Sequence, residues 1–342
     1  MDNLKTANSL PIVISFRFKA SAASGMGFIL ALNSCYLYRK LKMNNIPSTQ
    51  NELKHLQQLA AQRELYTSAK TYQLFQFLVN LLIPILLSVL ILEWAFLIPY
   101  AALYGIVAAM LDPLFFDTAI QRRREKAAKV QELFDCEVLE LKNSPLKMST
   151  ADMIEEVLVE YDAHSKIRTN IEKIKDWYPK AIEVLPMHIA RLVCQRTNCY
   201  WDSRLRKRYA NFIRYFGICT FILFLFIGLI SNKSFPQIVL IASGLLPFIQ
   251  FSLKQYKDQS EAAKRLDKLV NYAKEIWEND LNKSINEIDE LSRRLQDEIY
   301  VHRSKSPLIL NFIYKRFRKK DEKIMNNTAD ALVENAKKRG LF

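Results

Sequence analysis

Four long apolar runs constrain this chain more than anything else in it. They cover roughly Phe77 to Leu92, Phe96 to Phe116, Phe212 to Ile230 and Phe235 to Leu253. A hydrocarbon core about 30 Å thick takes about 20 helical residues to cross, with about 17 as a lower limit. The first run is slightly short, and Leu74 and Phe75 extend it. In lipid every backbone polar group must be satisfied internally, so spans of this kind are helices. The runs come in two pairs, each joined by a very short link, Glu93-Trp94 in one and Ser231 to Ser234 in the other. Each pair therefore reads as a helical hairpin that returns to the side it left. Four buried helices of a soluble core would have no reason to fall into two close pairs.

Basic residues mark the side of return. Arg63 and Lys70 precede the first hairpin, and Arg122, Arg123, Arg124, Lys126 and Lys129 follow it. Arg204, Arg206, Lys207 and Arg208 precede the second, and Lys254 and Lys257 follow it. The positive-inside rule then puts every polar segment, and both termini, in the cytoplasm. Trp94, Tyr100 and Tyr104 suit the outer interface. The expected fold class is an all-α membrane protein: four transmembrane helices as two hairpins, plus cytoplasmic helical segments.

The expected organisation follows the charge pattern. Residues 43–76 form a cytoplasmic helix, 77–116 the first hairpin and 117–211 a cytoplasmic helical region. Residues 212–253 form the second hairpin, and 254–342 a long helix with a basic C-terminal helix. Ser149 with Asp152 resembles a capping box that opens a helix running to about Trp177. A single helix is expected from about Lys254 to His302. Its stripe of Leu266, Val270, Ala273, Trp277, Leu281, Ile285, Ile288, Leu295 and Ile299 would bury against a partner helix or another subunit. Residues 1–42 fit none of this. An uncharged stretch at 20–38 lies between basic flanks, and the expectation is a spurious or disordered extension with Met43 as the start.

The halves echo one another. Gln62-Arg63 before the first hairpin matches Gln195-Arg196 before the second; Pro113 matches Pro247, and EKAAK at 125–129 matches SEAAK at 260–264. The offsets are nearly constant, as expected for a parallel internal duplication related by an axis along the membrane normal. Four spans make a small bundle, so a water-filled path would take several subunits.

Catalytic apparatus is not visible. The chain has seven glycines, none in the polar segments between 43 and 339, which removes the phosphate-cradling loops of nucleotide hydrolases and dinucleotide enzymes. Its four histidines are scattered, and HExxH and GxSxG do not occur. Cys194 and Cys199 have no second Cys or His pair to complete a zinc set, so neither a metal nor a cofactor is expected. The spans hold almost no charge; Glu93 and Asp112 sit near span ends.

The net charge of +14 asks for an anionic partner, here lipid head groups or a phosphorylated ligand rather than DNA. The densest basic segment is CQRTNCYWDSRLRKRY at 194–209. Two roles fit Arg196, Arg204 and Arg206 with Asp202. They form a site for an anionic ligand, since the planar guanidinium suits phosphate, or they form a salt-bridge collar at the membrane surface.

NNIPSTQNELKHLQQLAAQRELYTSAK (44–70), FDCEVLEL (134–141), DWYP (176–179) and CQRTNCYWDSRLRKRYA (194–210) resemble the SMODS-associating four-transmembrane family of pore-forming effectors. The tail from Pro307 to Val333 looks like the same family. Gln195, Asn198, Trp201, Asp202, Trp177 and Pro179 are the motif residues. Family members often carry Trp-Asn after the FD…VL motif, where this chain has Lys142-Asn143, so no role is carried over for that aromatic. The resemblance implies a bacterial inner-membrane effector of antiphage abortive infection. It would oligomerise, and it would be gated by a cyclic oligonucleotide from a neighbouring nucleotidyltransferase. The alternative is a membrane-anchored scaffold or receptor without a pore.

Overall fold

The computed structural model describes residues 44–142, 154–165, 171–230 and 234–341. The expectations for residues 1–42 and for the Ser149–Asp152 cap fall outside these residues. Within them the regular structure is all α. The helices are α1 (Leu53–Glu93), α2 (Ala95–Val138), α3 (Ile154–Ser165), α4 (Met187–Ile230), α5 (Phe235–Gly244), α6 (Leu246–Asp280), α7 (Ile285–Lys305) and α8 (Asn311–Lys338).

The lengths are decisive. Helices α1, α2 and α4 have 41, 44 and 44 residues, or about 60 to 66 Å at 1.5 Å per residue. That is twice the thickness of a hydrocarbon core. Each helix carries one apolar half and one polar half without a break between them. Along the apolar windows of α1, α2 and α4 only 28%, 17% and 17% of the residues are buried inside the chain. Leu86, Leu103, Ile106, Leu114, Ile222, Phe226 and Leu229 face outward. A water-soluble monomer rarely exposes more than a few hundred Å² of contiguous apolar surface, so this belt makes the chain a multi-pass membrane protein. Among the described residues three helices are long and apolar enough to cross, or four if the bent pair α5 and α6 is one span.

The fourth run is kinked at Pro247, a helix breaker visible in the sequence. It bends by 51° between Gly244 and Leu246. Pro247 lies in the first turn of α6, where its missing N–H costs nothing but where α5 cannot continue through it. At Gly244 an added Cβ would lie 3.0 Å from Ser88 Oγ; the small residue lets α5 close on α1. Prolines also mark two wide turns inside the other spans. The helix widens to π geometry at Leu78–Leu82, just before Pro84, and at Asp112–Asp117, around Pro113. Each proline leaves one carbonyl without its usual donor, and the wider turn relieves the ring's clash with it.

The polar halves pack into a bundle with its own core. Phe134, Leu139, Tyr178, Ile182, Leu192, Leu295 and Ile299 are buried there. Two expectations are corrected in it. The helix foreseen from Lys254 to His302 stops after Asp280 and restarts at Ile285, where Ser284 and Glu287 form a reciprocal capping box. Its apolar stripe buries in the chain's own core, with Leu266, Trp277, Leu281, Leu295 and Ile299 all inside it. The helix foreseen up to Trp177 has already ended there. Asp176 adopts φ 53°, and its N–H is held by Asn51 Oδ1 at 3.0 Å.

The bundle is tied by buried polar contacts. Asp135 of α2 is 1% exposed. It accepts from Tyr178 Oη at 2.7 Å, from Gln296 Nε2 at 2.9 Å and from the Arg303 guanidinium. Burial alone would favour the neutral form of Arg303, but Asp135 holds its pKa above the ordinary arginine value. Removing one partner of such a pair strands the other in low dielectric, at about 3–5 kcal/mol. Asp135→Ala is therefore expected to cost that much, read as a fall in melting temperature of the detergent-purified protein. The double variant Asp135→Leu, Arg303→Met should recover most of the loss.

Candidate functional site

Residues of the segments at 44–70, 134–141 and 176–179 meet in the core of the polar bundle. Asn44 Nδ2 donates to the carbonyls of Ile182 and Leu185, both at 2.7 Å. Gln50 brackets Tyr178, accepting its N–H at 2.7 Å and donating to its carbonyl at 3.3 Å. Tyr178 stacks on Phe134 with ring centroids 6.1 Å apart, and Trp177 meets the same ring edge-on. Pro179 is buried beside them. Trp177 and Pro179 thus sit in the core that clamps the chain's N-terminal segment. Nothing local in these segments announces that they hold one another, because the Asn44 and Gln50 contacts join residues more than a hundred positions apart.

The basic segment on α4 does not act as one patch. Arg196, Arg204 and Arg206 lie eight and two positions apart, which turns them to different faces of a 3.6-residue helix. Gln195 points into the core, donating to Ser292 O at 3.0 Å and Gln296 Oε1 at 3.1 Å and accepting from Ser292 Oγ at 2.7 Å. Gln296 in turn donates to Glu132 and Asp135. Asn198 is half-buried, and Trp201 packs edge-on against Tyr314. Arg204 is half-exposed and donates to the Tyr200 hydroxyl at 3.1 Å.

Arg206 is 7% exposed and fully engaged. It donates to Asp202 Oδ2 at 3.0 Å, Gln259 Oε1 at 2.9 Å and Pro307 O at 2.8 Å. The same Asp202 oxygen lies 3.1 Å from His302 Nε2, and Ser306 Oγ sits 3.0 Å from His302 Nδ1. Asp202 and Arg206 thereby lock α4 to α6, α7 and the turn before α8. Arg208 adds a bond to both oxygens of buried Asp321 in α8, at 2.8 and 2.7 Å, a tie that the sequence does not announce.

Arg196 stands apart. It lines an open cleft of about 490 Å³ between α4, α6 and α8, with Lys274, Trp277, Glu278, Asn335 and Arg339. The Nε of Arg196 is buried and has no hydrogen-bond partner among the described residues. Lys274 reaches Glu278 at 3.6 Å. Arg339 donates to the carbonyls of Trp277 and Glu278 at 2.6 and 3.4 Å. Of the cleft's charged residues only Arg196 is marked by the sequence; Lys274 and Arg339 are 78 and 143 residues away in the chain.

A second polar cluster lies where the apolar and polar halves meet. Asp112, at the first π turn of α2, accepts from Gln76 at 2.7 Å and Asn80 at 3.0 Å, and pairs with Lys254 at 3.1 Å. Lys254 also pairs with Asp117, and Gln76 donates to Asp117 at 2.9 Å. The knot ties α1, α2 and α6 together. Sequence reasoning saw Asp112 only as a charge near a span end; the signal available was an opposite charge, Lys254, at the end of the fourth run. Among the described residues no His, Cys, Asp or Glu trio is placed to hold a metal.

The lock has an acid-sensitive member. Burial pushes the pKa of His302 below its ordinary 6.5; Asp202 opposes this, and Arg206 and Arg265 add to it. Just below pH 6.5 the unfolded chain then binds a proton that the folded chain does not, so stability falls as pH falls through that value and levels off below the folded pKa. The melting temperature is expected to drop as pH falls through the ordinary histidine range, with His302→Gln showing a shallower drop.

A family model described as the SMODS-associating 4TM effector domain matches residues 44–332. No curated protein and no solved structure matches the chain. The matched region starts at the Asn44 clamp, takes in the spans, the lock and the knot, and ends within α8: the chain belongs to the SMODS-associating 4TM effector family.

Proposed function

We propose that this protein is a pore-forming effector of a bacterial antiphage system. It assembles in the inner membrane and is opened by a cyclic oligonucleotide sensed in the cytoplasm. Basic residues on the polar side of every apolar run support a cytoplasmic bundle with both termini inside. The outward apolar belt is larger than four helices need for contact with one another, and it supports association with lipid and with further copies. The family's tie to SMODS signalling supports the nucleotide trigger.

The observation that carries the proposal is mechanical continuity. Helices α1, α2 and α4 run unbroken from the apolar belt into the polar bundle. A rearrangement of the bundle is therefore transmitted to the spans without a hinge, and the Asp112–Lys254 knot sits at the point of transmission. Such a device shifts between two states by as much as the ligand distinguishes them.

Expression together with an active cognate nucleotidyltransferase should collapse the membrane potential within one infection cycle, whereas an inactive synthase should leave it intact. Unchanged potential, with the effector present in the membrane, points instead to a tether without a pore. Lys254→Met, which leaves Asp112 and Asp117 without their cation, is expected to release carboxyfluorescein from phosphatidylethanolamine–phosphatidylglycerol vesicles with no trigger. Adding Asp112→Asn and Asp117→Asn should reduce that leak.

A further inference from the structure

We propose that the cleft between α4, α6 and α8 binds a soluble phosphodiester ligand, held by Arg196, Lys274 and Arg339, with its apolar part against Trp277. The proposal rests on the effector function above, and it names the site and the chemistry through which the trigger acts.

Charge comes first. Three cations line the cleft against a single carboxylate, Glu278. Lys274 and Glu278 are each more than half exposed, so their pairing is weak and readily exchanged for a better anion. Arg339 spends two of its five N–H groups on backbone carbonyls, which leaves donors for a ligand. Arg196 is the telling residue. A buried guanidinium nitrogen without an acceptor is costly; Arg196 Nε shares that state with other buried polar atoms of the described residues, Arg293 Nε included, and it is the one that belongs to a cation lining this cleft. A phosphate in the cleft would meet the planar guanidinium of Arg196, a group that favours bidentate pairing with such anions.

Size and position narrow the ligand. The cleft volume, about 490 Å³, falls within the range of about 300–1,000 Å³ typical of small-molecule sites. Arg196 lies sixteen residues before Phe212, where the third apolar run begins, or about 24 Å along an unbroken helix. A lipid headgroup at the bilayer surface does not reach that depth, so the anion comes from solution. Trp277 is 6% exposed and donates to Asn335 at 3.1 Å; it gives the cleft a fixed apolar wall beside its polar rim.

The cleft is also placed to act. Helix α6 widens to π geometry at Ile276–Asp280, directly under the site, and wide turns of this kind recur at functional positions. Arg339 fastens the end of α8 to the carbonyls of that turn. A phosphodiester competing for Arg339 would loosen this fastening while drawing Arg196 on α4 toward Lys274 on α6. Both helices continue toward the membrane, so the strain reaches the spans.

The test is binding to the full chain in nanodiscs, measured by calorimetry and thermal shift. The probes are 3′,3′-cyclic dinucleotides and cyclic trinucleotides, with inorganic phosphate and phosphatidylglycerol vesicles as separate arms. At least one cyclic nucleotide should bind, with inorganic phosphate competing only weakly. Arg196→Met and Arg339→Gln should each weaken binding by tenfold or more. Arg196→Lys, which keeps the charge and loses the fork, should be intermediate, and Arg204→Gln on the same helix should bind as wild type. A melting curve for each variant separates lost affinity from lost fold. Wild-type affinity in folded Arg196→Met, failure of every cyclic nucleotide to bind, or Arg196-dependent capture of the lipid vesicles each overturns the assignment. Vesicle leakage is read separately. Arg196-dependent binding without leakage keeps the site and removes the pore, and leakage untouched by Arg196→Met does the reverse.

Discussion

The bundle below the membrane is organised by one buried carboxylate. Asp135 takes a phenol from the DWYP turn, an amide from α7 and a guanidinium from the end of α7, so two separate stretches of chain are aligned on α2 by a single side chain. A charge that deep is tolerated only when it is paired and hydrogen-bonded. The same condition repeats at Glu132, which receives Arg293 at 2.7 Å; Asp202, a quarter exposed, receives Arg206 and His302. These contacts are directional, and they give a bundle of otherwise interchangeable apolar stripes a unique register.

Membrane and bundle are not separate domains in the mechanical sense. Three helices about twice the thickness of a hydrocarbon core pass from one medium into the other without a loop. Lipid holds the upper halves by exclusion from water, and the buried polar network holds the lower halves by complementarity. The junction is where the two rules meet, and there the helices carry proline-linked π turns and the Asp112–Lys254 knot. Such a place has low tolerance for straight helix geometry and high tolerance for polar side chains, because each carbonyl freed by a proline or a wide turn needs a partner.

Much of the architecture was legible beforehand. The apolar runs, the short Glu93-Trp94 link and the Ser304–Pro307 break before the last helix could be read from pattern and length, since each rests on local chemistry. The stop at Asp280 was legible too: Ser284-Ile-Asn-Glu287 is a capping box in the sequence, and a continuous apolar stripe masked it. Apolar periodicity survives a short break when both helices pack on the same core, so the stripe alone does not prove one helix. The kink at Gly244–Leu246 has a local mark in Pro247, whereas the early end of the helix before Trp177 depends on the Asn51–Asp176 contact, which has no local signature.

The sequence by itself determined that the chain is helical and membrane-embedded, because hydrocarbon permits no other use of such runs, and its motifs pointed to the SMODS-associating four-transmembrane family. It also marked Arg196 among several arginines. Only the tertiary structure decided what each arginine does. Arg206 is consumed by Asp202, Gln259 and Pro307, Arg204 rests against Tyr200, and Arg196 opens onto a cleft completed by Lys274 and Arg339 from far along the chain. Helical phase separates residues that are close in sequence and folding brings together residues that are distant, so the partners of each arginine are fixed only in three dimensions.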